Sequence, residues 1–322
     1  MLVGGEGLDR VTNQSRSRGM SGTDPAILDQ AYRFCRDVTR RRARNFYYGL
    51  KLTPEPQRSA LYSVYAWMRR ADDLVDNAPK ITDDLRRDIA AFRATTDAAL
   101  SGRVTVNEHL WVALADTASR FELPSEAFHL TLEGQLDDLA GAQYATFNDV
   151  RDYCYRVAST VGVICIGIWG YSDPAARELA IDRGIAFQMT NILRDYREDF
   201  DVGRVYLPAE DFKRHGITPH DLRRWSDPSA CRAMITRQVE RANSYYERSA
   251  PLDAMISRSG RPTLWAMTAI YHALLAKIEQ APQRIVGDRR LRLSSLRKGS
   301  IALRARWLNG RGPVTPAAVT EA

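Results

Sequence analysis

Nowhere along the chain do apolar and polar residues alternate for long enough to specify a convincing β-strand. Apolar positions return instead every third or fourth residue, as in Leu61, Val64, Tyr65, Met68 and Ala71, and again in Leu179, Ile181, Ile185, Met189, Ile192 and Leu193. That period turns one face of a helix toward a core. Prolines at positions 54, 56, 79, 124, 174, 208, 219, 228, 251, 262 and 282 cut the pattern into about ten helical segments. Asp24-Pro25 reads as an N-cap followed by proline at the first helical position. The fold class is therefore all-α. No linker, composition shift or internal repeat divides the pattern, so one domain over residues 25–308 is expected. Residues 1–24, rich in Gly, Ser and Arg and without a period, read as a disordered leader. Residues 309–322, with two Pro and two Gly, read as a disordered tail.

The composition excludes several classes. Of 322 residues, 44% are hydrophobic and 26% charged, the balance of a soluble globular protein that builds its core without staples. The four cysteines, Cys35, Cys154, Cys165 and Cys231, form no CxxC pair. A zinc ribbon or thioredoxin-type site is not expected, and a reducing cytoplasm is. The longest apolar run, Val161 to Trp169, is interrupted by Gly162 and Gly167 and falls far short of the ~20 residues that span a bilayer. The net charge of +7 is uneven. Nine Lys/Arg and one acid, Asp288, lie between Arg284 and Arg311, so that segment carries +8 and the remainder −1.

Two acidic constellations carry the chemistry. In Tyr65-Ala-Trp-Met-Arg69-Arg-Ala-Asp72-Asp73-Leu-Val-Asp76, helical geometry places Tyr65, Asp72 and Asp76 on one face with Arg69 at its edge. In Gln188-Met-Thr-Asn191-Ile-Leu-Arg194-Asp195-Tyr-Arg-Glu198-Asp199, Gln188, Asn191, Asp195 and Asp199 fall within a stripe of about 80°. Carboxylates stacked one turn apart repel unless a cation neutralises them. Oxygen ligands without nearby Cys or His favour a hard ion such as Mg²⁺, which keeps waters and is completed by substrate phosphates. A single acidic pair is more often a solvated face. Two such pairs, each on a helix with an apolar remainder, point to a diphosphate held between them, a leaving group whose developing charge metal ions absorb.

These residues resemble the squalene/phytoene synthase family of head-to-head prenyltransferases. The resemblance is carried by Asn45-Phe46-Tyr-Tyr, the Tyr65 to Asp76 stretch, Glu133-Gly-Gln-Leu-Asp-Asp138-Leu and Tyr153-Cys-Tyr-Arg-Val157-Ala-Ser-Thr-Val-Gly162. It continues through Gln188 to Asp199, Gly203-Arg204-Val-Tyr206-Leu-Pro208 and Tyr271. It covers roughly residues 26–300. It implies a single-domain isoprenoid synthase fold with a central substrate cavity, and Mg²⁺-dependent joining of two allylic diphosphates, with Mn²⁺ as a substitute ion. It makes Asp72, Asp76, Asp195 and Asp199 metal ligands. Arg69, Arg194 and Arg204 become diphosphate contacts, joined near the C-terminus by Arg289 or Arg290, with Gln188 and Asn191 nearby. Tyr65, Tyr206 and Tyr271 would border the reacting carbons, where a ring face stabilises a carbocation; core packing is the competing reading for each. Asn45, Phe46, Val157 and Gly162 would contact substrate, although many members carry Ser where this chain has Asn45. The glycines of Val161 to Trp169 leave room for a prenyl tail or serve tight helix packing, and Cys165 there reads as a small buried hydrophobe.

The resemblance implies ionisation of one substrate, attack by the second and a cyclopropylcarbinyl diphosphate intermediate, which is released or rearranged further. The Asn-Ile-Leu-Arg-Asp form of the second motif favours a C30 enzyme using farnesyl diphosphate, with phytoene synthesis from geranylgeranyl diphosphate as the alternative. NADPH is left open: there is no GxGxxG fingerprint, but family members that use it have none. Asp72-Asp73-Leu-Val-Asp76 also reads as the DDxxD of a terpene cyclase, against which stand the second DxxxD and the Tyr153 to Gly162 block. A non-enzymatic assembly factor of the same fold should have lost metal ligands, and all four Asp are present. No motif for nucleic acid accompanies the basic segment. Its Leu291 to Trp307 stretch is expected either to pack on the body with a solvated basic face or to rest peripherally on anionic lipid, on the inner face of the membrane.

Overall fold

The computed structural model describes residues 23–42, 44–76 and 81–307, without the side chains of residues 44–46 and 76. The expected leader, apart from residues 23 and 24, and the expected tail lie outside the described residues, as do the side chains of Asn45, Phe46 and Asp76. The described chain is helical throughout. Its helices are α1 (Pro25–Arg42), α2 (Arg44–Leu50), α3 (Gln57–Asp76), α4 (Asp83–Leu100), α5 (His109–Arg120), α6 (Ser125–Ala140), α7 (Phe147–Cys154) and α8 (Thr160–Trp169). There follow α9 (Ala176–Asp201), α10 (Ala209–His215), α11 (Pro219–Arg224), α12 (Pro228–Arg248), α13 (Leu252–Met255), α14 (Arg261–Gln280) and α15 (Ser295–Trp307). A π-helical turn, Tyr155–Ser159, joins α7 to α8, and a 3₁₀ turn, Pro282–Val286, follows α14. Among the described residues extended pairing is limited to one isolated bridge, Tyr171 with Ile256.

Local chemistry explains the boundaries. The Asp24 carboxylate accepts from the Ala26 amide at 2.9 Å ahead of Pro25. Thr146 with Asp149 and Thr218 with Asp221 form reciprocal capping boxes at α7 and α11. α6 ends on Gly141 at φ 66°, a left-handed conformation that costs glycine little.

Helix α9 is the hub, packed by α8, α12, α14 and the π-turn. Its Gly184 lets the π-turn come close: a Cβ there would stand 2.5 Å from the Ser159 Cα and 2.7 Å from its amide nitrogen. The Ser159 hydroxyl locks the same contact by donating to the Ile181 carbonyl at 2.7 Å. Gly162 and Gly167 are likewise packing positions, since a Cβ on Gly162 would lie 3.1 Å from the Ala180 carbonyl oxygen and one on Gly167 2.5 Å from that of Glu122. Of the two readings of this glycine run, the structure therefore shows tight packing; the missing side chains open no space at those contacts. Cys165, expected to be buried, is only half-buried, although its surroundings push the thiol up to about 12.

A buried ion cluster pins α10 to α12. Asp211 is fully buried and accepts from Arg237 at 2.9 Å, Gln238 at 2.8 Å and Arg241. Burial alone would raise its pKa, but the bonds from Arg241, Gln238 and Arg237 outweigh it and hold the carboxyl below its usual range.

Two stability predictions follow from these contacts. Gly184→Ala gains about 1 kcal/mol of helix propensity but meets unyielding backbone, so a net loss of about 1–3 kcal/mol is expected in urea titrations; an unchanged midpoint would contradict the packing account. Because the folded pKa of Asp211 is depressed, its contribution is complete above the unfolded pKa of about 4 and is lost as pH falls through the folded value. Asp211→Asn should therefore lower stability by about 2–4 kcal/mol at pH 7, and the gap to wild type should close as the pH is lowered below about 4.

Candidate active site

Three helices bring the polar side chains together. α3 contributes Tyr65, Arg69 and Asp72, and α9 contributes Gln188, Asn191, Arg194, Asp195 and Asp199. α6, which carries Gln135, Asp137 and Asp138, connects the two. Gln135 donates its amide to Asp72 on α3. Asp138 accepts from the hydroxyl of Tyr206 at 2.9 Å and that of Tyr153 at 3.1 Å, and its charge is felt at Asp199 on α9. Asp137 pairs with Arg156 of the π-turn at 2.7 Å. Gly134 makes room for this turn, because a Cβ there would lie 2.5 Å from a Val157 methyl.

The α9 stripe is arranged as helical spacing requires. Asn191 donates to the Gln188 amide oxygen at 3.3 Å. Asp195 is held on two sides. Arg194 donates to it at 2.7 and 2.5 Å, and Arg290, from the segment before α15, forms a second two-pronged contact at 2.6 and 2.5 Å. Burial would raise the Asp195 pKa, but these bonds lower it overall. Asp199 goes the other way. Burial first, then the negative charge of Asp195, push it up to about 7, against the pull of Arg204. On α3, Arg69 pairs with Asp73 and reaches Asp72 at 3.8 Å. Burial and the neighbouring Asp72 raise the Tyr65 pKa.

The three predicted tyrosines occupy different corners. Tyr65 lies on α3 close enough to Asp72 to feel its charge. Tyr271 stacks on Phe187 with centroids 4.6 Å apart and lies beside Asn191 and Arg194. Tyr206 stacks on Tyr153 at 5.0 Å while its hydroxyl is committed to Asp138. With Asp138, Tyr144 and Arg204 it also lines a cavity of about 250 Å³ between the α6–α7 connection and the segment that follows α9. Val157 is half-buried, as are Met68, Leu136 and Phe187. Gly162 lies against the Ala180 carbonyl.

Sequence reasoning did not single out Gln135, Asp137, Asp138, Tyr153 or Arg156 as site residues. A signal was present: Glu133 and Asp137 stand at the same i, i+4 spacing that drew attention to the other two helices.

The donor set fits a hard divalent cation. The Oδ1 of Asn191 and the Oε1 of Gln135 are buried without a hydrogen-bond donor, and Asp199 is a carboxylate whose ionisation an added positive charge would favour. Among the described residues no three acidic, His or Cys side chains already converge into a cage.

The squalene/phytoene synthase family profile matches residues 39–297. The chain is 37% identical over 287 residues to a phytoene synthase of Mycobacterium tuberculosis, covering 86% of this chain and 91% of that protein. It is 35% identical over 269 residues to a 15-cis-phytoene synthase of Synechococcus elongatus, covering 79% and 86%. A crystal structure of a dehydrosqualene synthase superposes with a TM-score of 0.76 at 26% identity, covering 88% of this chain and 97% of that one. Squalene synthase HpnC from Alicyclobacillus acidocaldarius superposes at 0.73 with 29% identity, covering 80% and 96%. The protein is a prenyltransferase and belongs to the squalene/phytoene synthase family.

Proposed function

We propose that this prenyltransferase joins two molecules of geranylgeranyl diphosphate head-to-head and releases phytoene. The observation that carries the choice of chain length is the 37% and 35% identity to phytoene synthases over most of both chains. It outweighs the preference for farnesyl diphosphate drawn from the second motif. The C30 reading stands second, favoured by the superposition on dehydrosqualene and squalene synthases. Phytoene formation ends in proton loss, so this reading requires no NADPH.

The residues divide the work. Arg194, Arg204 and Arg290, with Arg69 opposite, bind diphosphate oxygens, for which a planar guanidinium is well shaped. In the structure Arg290 rests on Asp195, so an arriving diphosphate competes with that carboxylate for it. Asp72 and Asp76 of α3, with Asn191, Asp195 and Asp199 of α9, would hold Mg²⁺, or Mn²⁺ in its place. The ion would supply the positive charge that makes diphosphate a stable leaving group. Met68, Leu136, Val157 and Phe187, each half-buried, would supply apolar surface to the prenyl chains and so protect a carbocation from hydrolysis. Tyr271, stacked on Phe187, and Tyr65 present ring faces toward developing positive charge. Asp138 orients Tyr153 and Tyr206 through their hydroxyls.

Incubation with Mg²⁺ and each prenyl diphosphate, followed by mass spectrometry, tests the reading. A C40 hydrocarbon from geranylgeranyl diphosphate without NADPH is expected. A C30 product from farnesyl diphosphate alone would establish the second reading, and no condensation with either would overturn both. Arg290→Gln should raise KM for the diphosphate roughly tenfold or more, with Arg290→Lys recovering part of the loss. Asp195→Asn should lower kcat by about a hundredfold or more at saturating substrate while circular dichroism stays helical. Undiminished kcat in Asp195→Asn would contradict the ligand assignment.

A further inference from the structure

The last described helix has two faces of opposite character. Ile301 and Ala305 of α15 are buried in a cluster with Trp265, Ala269 and Leu274 of α14. On the other side Leu296, Leu303 and Trp307 are 88%, 62% and 81% exposed. Helical geometry puts these three within about 40° of arc, roughly opposite the buried face. Arg297 and Arg304 flank the stripe on one side and Arg306 on the other, each about 80–100° away.

A long, exposed apolar stripe is costly in water, and α15 could hold itself on α14 without one. Leucine and tryptophan between arginines suit the boundary between lipid headgroups and acyl chains, where the apolar side chains enter and the guanidiniums stay with anionic groups. The charge balance selects the partner. The segment from Arg284 to Arg311 carries +8 while the rest of the chain carries −1. A second copy packed symmetrically on the stripe would set Arg304 and Arg306 against their own counterparts. A negatively charged surface gains from the same residues, by about fivefold in affinity for each.

We propose that the Leu296–Leu303–Trp307 stripe of α15 docks this enzyme on the surface of an anionic phospholipid bilayer. The docking is peripheral, since no helix among the described residues is long and apolar enough to cross a membrane. It lies close to the active site. Lys298, on the far side of α15 from the stripe, is near enough to Arg194 to feel its charge. The docked face would thus lie on the side of α15 turned away from Arg194. This inference does not depend on the length of the prenyl chain.

Co-sedimentation of the full-length protein with vesicles tests it. Pelleting is expected with phosphatidylcholine mixed with phosphatidylglycerol, much less with phosphatidylcholine alone, and should weaken as salt rises. The variant Leu296→Ser/Leu303→Ser/Trp307→Ser and the variant Arg304→Gln/Arg306→Gln should each lose partitioning roughly tenfold or more. Both should keep the parent circular dichroism and turnover in detergent. A second readout guards against misfolding of the triple variant: brominated phosphatidylglycerol vesicles should quench wild-type tryptophan emission, and Trp307→Tyr should lose that quenching. Wild type remaining in the supernatant, or variants that pellet and quench like wild type, would overturn the proposal. So would a lipid-free dimer that the triple variant converts to monomer, because the stripe would then belong to a second copy.

Discussion

Asp195 and Asp199 stand one turn apart on the half-buried face of a helix at the centre of the molecule. Two negative charges so placed repel strongly where water is scarce, and much of the surrounding architecture answers that repulsion. Arg194 and Arg290 neutralise Asp195 from two sides. Arg204 offsets part of the charge felt by Asp199, which still takes up protons far more readily than an ordinary carboxyl. To deliver Arg290, the chain beyond α14 must cross back over α9 before α15 begins. The course of the C-terminal segment is thus tied to the charge at the site. At the same site the side-chain amide oxygens of Asn191 and Gln135 are buried and accept no hydrogen bond.

The second dependence runs through α6. The acidic helices α3 and α9 are far apart in sequence, and α6 links them by polar contacts: Gln135 toward Asp72, and Asp138 toward the tyrosines and the field at Asp199. Asp138 is largely shielded from water, and burial raises its pKa despite two hydroxyl donors. Such a network is specified by every member at once, since a buried polar group left without its partner is expensive. Tyr144, tilted toward both Tyr153 and Tyr206, packs the outer side of the same group.

Much of this was legible in the sequence. The 3.6-residue period gave the all-α class, and Asp24-Pro25 marked the start of α1. Side chains on one helix follow from spacing alone, which is why the Gln188 to Asp199 stripe was readable from arithmetic. Contacts between helices are not encoded that way. Glu133 to Asp138 has little amphipathic contrast to set it apart, so its bridging role emerged only once α3, α6 and α9 were packed. Gly162 and Gly167 were equally silent about whether a ligand or a neighbouring backbone fills the space beside them; here carbonyl oxygens do. Arg290 was recognisable as a cation near the end of the chain, but nothing local identified Asp195 as its partner.

The π-turn at Tyr155–Ser159 has a consequence of its own. A turn closed by i→i+5 bonds accommodates one residue more than an α-helical turn. Everything after it is rotated by about 100° relative to an uninterrupted helix. It therefore acts as a phase adjuster between two surfaces that a regular helix would leave out of step: Tyr153 facing Asp138 before it, and Thr160 bonded to Thr131 after it. The register of α8 against α6 and α9 is thus set by the number of residues in this turn. The turn is therefore intolerant of deletion, because one missing residue would misalign all of α8 against α6 and α9.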